Sequence, residues 1–186
     1  NLLTDPVSIK RFEKEAALAT ELHHPNIAAI YGPGKDINGN PFITMAYVEG
    51  ETLAQILAGD GVLNEKRVLD IATQVSEALV YSHSKGIVHR DITPSNIVIT
   101  KAESGADLVR LVDFGIARCI YDERTVTQAL TRAISAFGSP MYMSPEQLLG
   151  EEATAKSDVY SLGCVIFEMA TGKPPFDDAS PVKGIL

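Results

Sequence analysis

The chain has 186 residues and a mass of 20.0 kDa, with 45% hydrophobic and 22% charged residues. That is an ordinary globular composition, long enough to bury roughly 70% of the unfolded surface, which excludes a disordered segment or a disulfide-stapled miniature and argues for one domain. With 16 basic and 24 acidic residues the net charge is −8 and the pI about 5.0, so no overall positive field draws in nucleic acid or an anionic membrane, and any phosphate must be held locally.

Asp5-Pro6 opens a helix, an N-cap acceptor followed by proline where its missing N–H costs nothing. Phe12, Glu15, Ala16, Ala19 and Leu22 share one side of it at helical spacing, and His24-Pro25-Asn26 ends it. Ile27 to Tyr31 and Phe42 to Val48 read as two antiparallel strands joined across a turn-rich stretch containing Asn38-Gly39. A lone hairpin is marginal, so further strands are expected beside it. From Thr52 the pattern turns helical, first around Leu53, Ile56 and Leu57, then in a long helix capped by Asn64. That helix carries Val68, Ile71, Ala72, Val75, Leu79 and Ser82 on one face and closes at Gly86.

Ile97 to Thr100 and Leu108 to Val112 suit a small hairpin around Ser104-Gly105. Tyr121 to Ser139 is polar, hydroxyl-rich and without a clear period, the signature of a functional or disordered loop. The last clear helix runs from about Ser157 to Thr171 and ends at Gly172 and Pro174-Pro175. Val159, Leu162, Val165, Ile166, Phe167 and Met169 lie nearly all round it, which predicts burial on every side.

Cys119 and Cys164 belong to no C-x-x-C or Cys/His cluster, so the expectation is two reduced thiols in a cytoplasmic protein. No uninterrupted apolar run approaches the ~20 residues of a membrane span. The chain starts at Asn1 and stops after Gly184-Ile185-Leu186, ends that are expected to be cuts in a longer chain, in which a membrane anchor is possible.

His89-Arg90-Asp91, Asn96 five residues later and Asp113-Phe114-Gly115 are followed by Gly138-Ser139-Pro140, Ser144-Pro145-Glu146 and Asp158-Val159-Tyr160-Ser161-Leu162-Gly163. Taken in that order, the set resembles the catalytic and metal-binding loops of protein kinases. Ile116-Ala117-Arg118 and Met143-Ser144-Pro145-Glu146-Gln147 look most like the bacterial branch of the eukaryotic-type (Hanks-type) Ser/Thr kinases.

The resemblance implies an α+β, two-lobe fold. Residues 1–48 would be the remnant of a small lobe lacking its first strands, and residues 49–186 a mostly helical large lobe without its last helices. It implies transfer of the ATP γ-phosphate to a Ser or Thr hydroxyl of a protein substrate with Mg²⁺, a reaction that asks for positioning and charge neutralisation more than covalent work. Asp91 would accept or orient the substrate hydroxyl's proton, while Asn96 and Asp113 supply the hard oxygen donors Mg²⁺ prefers. Ser139 would bond to Asp91.

Glu15 corresponds to the helix glutamate that pairs with a strand lysine absent from this chain; the alternative is an exposed pair with Arg11 one turn away. Met45 would guard the back of the adenine pocket, Ala46 to Val48 offer backbone hydrogen bonds to the base, and Val98 form an apolar floor. Arg90, Arg118 and Arg11 match positions that gather around a phosphorylated loop residue, here Thr127, Thr131 or Ser135; the alternative is scattered surface arginines beside a polar loop. In the family Glu146 meets a C-terminal arginine. Asp158 would hold the backbone of His89-Arg90, His89 would pack on Phe114, and His23, His24 and His83 are read as non-catalytic.

Thr93 stands where Ser/Thr kinases usually carry a lysine touching the γ-phosphate, and Ser95 occupies the position of the tyrosine-kinase arginine. A neutral hydrogen bond is about half as strong as a charge-assisted one, so transfer could be slowed. The second function is therefore a pseudokinase or regulatory module that binds ATP or a protein. A dimer for phosphorylation in trans is the association the family allows, and residues 1–186 alone are expected to have little activity.

Overall fold

The computed structural model describes residues 6–102, 104–116 and 140–176. Its elements are α1 (Pro6–Ala19), β1 (Ile30–Lys35), β2 (Pro41–Met45), β3 (Glu51–Thr52), α2 (Leu53–Asp60), α3 (Glu65–Ser84), β4 (Ile97–Lys101), β5 (Asp107–Leu111), α4 (Pro145–Leu148) and α5 (Ala155–Thr171). Single 3₁₀ turns sit at Pro94–Asn96 and Pro140–Tyr142. The fold is α+β, as expected, with helices outweighing two small antiparallel sheets.

α1 ends at Ala19, earlier than His24-Pro25 predicts, because the backbone tightens there: Thr20 N–H donates to both Ala16 and Ala17, and its hydroxyl donates to the Ala17 carbonyl at 2.7 Å. Phe12, Ala16, Ala19 and Leu22 are buried. Asp5, the expected cap, lies outside the described residues.

β1 and β2 pair from Ile30↔Met45 to Lys35↔Pro41, with an irregularity between Ile30 and Gly32. The first strand therefore runs later than Ile27–Tyr31, straight through Gly32-Pro33-Gly34. Asp36 takes over the turn by accepting from Asn38 and Asn40 N–H and from the Asn40 side chain, each at 2.8 Å.

β3, β4 and β5 form a second sheet in that order. β3, two residues long, has no periodicity to betray it, since Thr52 serves both as its end and as the N-cap of α2. Gly50 lets β3 approach: a Cβ there would stand 2.5 Å from the Ile99 carbonyl oxygen.

The apolar stripe of α3 packs against α5 and β5, and Ile71, Val75, Leu53, Ile97, Leu111, Val165 and Met169 lie at the centre of the core. The segment after α1 is stitched to that core. Ala28 N–H donates to the Leu111 carbonyl and Leu111 N–H to that of Asn26, while the buried Asn26 side chain donates to Gln74 and the Val109 carbonyl. α5 is not buried on every side: Val159 is 62% and Phe167 47% exposed. Its packed stripe runs through Asp158, Leu162, Val165 and Met169 instead. No described helix is long and apolar enough to cross a membrane.

Candidate functional site

The site is assembled around Asp158, in the first turn of α5 and only 1% exposed. Such a carboxylate persists only with its lone pairs used. Its Oδ2 accepts His89 N–H at 2.8 Å, its Oδ1 accepts Arg90 N–H at 2.8 Å, and His83 Nε2 lies 2.7 Å from Oδ2. The expected support of His89-Arg90 is thus present. His83 is more than a helix end, for it shares the carboxylate that holds the loop.

His89 is fully buried and tilted against Phe114, ring centroids 4.4 Å apart. Asp91 N–H donates to its Nδ1 at 3.3 Å, and its Nε2 sits 3.1 Å from the Val112 carbonyl. Those two contacts assign the neutral ring with the proton on Nε2. Burial pushes His89 below the usual histidine range, against the opposing pull of Asp158 and Asp91. One imidazole therefore spans from the backbone of Asp91 to the residue before Asp113.

Asn96 completes the loop. Its Nδ2 donates to the Asp91 carbonyl at 2.8 Å and to Asp91 Oδ2 at 3.1 Å, while its own carbonyl accepts from Val112 N–H. Arg90 and Asp113 have positive φ, 66° and 54°, costly for side chains with a Cβ and maintained here by their surroundings. With the Asn96 N–H groups spent on Asp91, Oδ1 is the end of that amide able to meet a cation, and Asp113 offers an exposed carboxylate. Two hard oxygen donors fit Mg²⁺ better than a soft metal. Among the described residues no three His, Cys, Asp or Glu side chains form a metal cluster, so a cation here needs the rest of its oxygens from a bound phosphate or water.

Glu15 pairs with Arg90, Oε2 to Nη1 at 2.5 Å, both groups partly shielded. Arg11 is exposed, and Glu13 pairs with Lys35 at 3.0 Å. Glu146 accepts the Ser157 hydroxyl at 2.5 Å, a bond that lowers its carboxyl below the usual range. Met45 is half-buried at the end of β2, and Val98 is buried in β4 close to Gly50. Ala46 N–H is consumed by the Ala29 carbonyl at 2.7 Å, so Ala46 can offer a base only its carbonyl; Val48 is half-buried. Arg118, Thr127, Thr131, Ser135 and Ser139, with Cys119, lie outside the described residues.

A cleft of about 480 Å³ opens beside Asp91, lined by Leu57, Thr93, Asn96, Tyr142 and Glu168. Tyr142 donates to Glu168 at 2.5 Å, and Ser161 ties the Tyr142 backbone to α5. Tyr142, Glu168 and Gln147, which donates to the Arg90 carbonyl at 2.9 Å, were given no role by sequence reasoning. Gln147 had a readable signal as the N3 residue of the Ser-Pro-Glu-Gln capping box.

Residues 4–184 match the family model described as the protein kinase domain. The chain is 44% identical over 98% of its length to the serine/threonine-protein kinase PknB of Mycobacterium leprae, and 41% identical over 97% to the serine/threonine-protein kinase pkn3 of Myxococcus xanthus. It spans 29% and 33% of those proteins, respectively. Among solved structures it resembles the Mycobacterium tuberculosis PknI kinase domain, with a TM-score of 0.71 and 32% identity over 94% of this chain and 61% of that one.

Proposed function

The chain belongs to the protein kinase domain family, and from that premise we propose that the protein carrying it is a serine/threonine kinase acting on protein substrates. The observation that carries this reading is the Asp91 carboxylate, bonded by Asn96 and set on a backbone whose N–H donates to the His89 ring, at the mouth of an open cleft. Asp91 takes the proton of a substrate hydroxyl as its oxygen forms a bond to the γ-phosphorus of ATP. The bond from that phosphorus to the bridging oxygen breaks, and ADP leaves. Asn96 and Asp113 would hold Mg²⁺, which supplies charge neutralisation to the phosphates when bound. Met45, the Ala46 carbonyl, Val48 and Val98 form the adenine side of the site.

Residues 1–48 act as the small lobe and 49–186 as the large one, in the cytoplasm, with trans-phosphorylation between two copies as the route to activation. Phosphorylation at Thr127, Thr131 or Ser135 gives Arg90, with Arg118 and Arg11, a phosphate in exchange for Glu15. Alanine at all three positions should lower activity; unchanged activity contradicts that part.

The principal test is transfer of labelled phosphate from ATP by the full-length protein in the presence of Mg²⁺. Transfer that disappears on Asp113→Ala supports the kinase. A second reading, a pseudokinase or regulatory binding module, is favoured by one observation: Thr93, neutral and 8% exposed, lines the cleft where the family's lysine would stand. Absent transfer together with tight partner binding that survives Asp113→Ala would select it.

A further inference from the structure

Arg90, the residue leading into Asp91, is gripped from both sides. Arg90, in its left-handed conformation, is held at the N–H by Asp158 and at the carbonyl oxygen by Nε2 of Gln147, 2.9 Å away. A side-chain-bearing residue keeps that conformation only while its surroundings impose it.

Gln147 has a second task. It is the third residue of α4, and its Oε1 accepts both the N–H and the hydroxyl of Ser144, the residue at the helix N-cap, at 3.2 Å. A capping box asks only for an acceptor at this position, and glutamate meets that need as well as glutamine. The amide N–H is surplus to capping, and it is this end that reaches the catalytic loop.

We infer that Gln147 is a positioning residue for the transfer reaction: its carbonyl closes the cap of α4, and its N–H fixes the Arg90 carbonyl and with it the peptide plane that aims Asp91. The catalytic half of this inference rests on the kinase reading; the structural half stands without it. α4 is thereby the brace through which the segment beside the cleft sets the geometry of the base.

The two ends of the amide can be separated in the full-length protein. Gln147→Glu keeps the acceptor for Ser144 but sets a carboxylate oxygen against the Arg90 carbonyl. The expected result is a melting temperature within about 2 °C of the parent, kcat lowered about tenfold with KM for ATP within about twofold, and faster amide hydrogen exchange in residues 89–96 but not in 144–149. As the pH is lowered the introduced carboxyl group regains a proton to donate, so the kcat deficit relative to the parent shrinks. Ser144→Ala does the reverse, lowering the melting temperature while leaving kcat and exchange in 89–96 unchanged.

If Gln147→Glu does not fold, Gln147→Met against Ser144→Ala makes the same comparison, with loop exchange rising only in the former. Unchanged exchange in 89–96 on loss of the Gln147 donor overturns the inference. A parent protein without phosphate transfer removes the kinase reading, and exchange still decides the role of Gln147.

Discussion

His89 sits where water cannot reach it, and both of its ring nitrogens are engaged, one as acceptor and one as donor. Its pKa is pushed down by burial, so the folded ring stays neutral at a pH where the unfolded chain takes up a proton. Below the ordinary histidine value of about 6.5 the unfolded state binds more protons, so stability falls with pH from there until the folded ring also protonates. We predict that unfolding free energy declines between about pH 6.5 and pH 5, above the carboxylate range near pH 4. The decline should flatten in His89→Tyr, which keeps a ring against Phe114 and does not titrate there; an equal slope in both proteins contradicts it. His89 stacking on Phe114 was legible from the motif, because the family pattern names both residues. Its two-ended bonding was not, since Nδ1 and Nε2 choose partners by loop geometry.

At the scale of the element, α5 organises the site. Thr154 and Ser157 form its capping box, and Gly172 ends it at φ 80°. Between them Asp158 offers two oxygens to donors from the loop and from α3. Asp158→Ala removes every one of those bonds at a buried position and should destabilise the protein by about 3 kcal/mol or more, whereas Thr154→Ala should cost only about 1 kcal/mol. Chemical denaturation of the two variants checks this, and equal losses would show that Asp158 is not the anchor. The cap at Asn64 and the stop at Gly172 were readable because each satisfies backbone groups locally. The late start of β1 and the two-residue β3 were not, for they depend on strand pairing, and the end of α1 is set by a local tightening at Thr20 that apolar spacing does not show. The apolar circumference of α5 overstated its burial: a hydrophobic residue is free to remain at the surface, and Val159 and Phe167 do.

Over the whole molecule, three separate stretches of chain are drawn to one point. The His89 ring and the Asn96 carbonyl both fasten to Val112, tying the loop that carries Asp91 to the residue before Asp113, and Glu15 of α1 reaches across to Arg90. The order and spacing of the motifs implied that Asn96 and Asp113 come together, since chemistry at one phosphate demands those residue types, but not that Val112 is where the loop fastens. The Glu15–Arg90 pair was not foreseen: long charged side chains choose among several partners of similar energy, and Arg11, one turn away, is far nearer in sequence than Arg90.

The central claim is that this assembly makes Asp91 the base for phosphoryl transfer. It is tested most directly by the initial rate of labelled phosphate transfer from ATP in the full-length protein and its Asp91→Asn variant, matched for folding by circular dichroism. The predicted result is measurable transfer in the parent and a loss of about 10²-fold or more in the variant. Equal rates in the two, or no transfer in either, would contradict it.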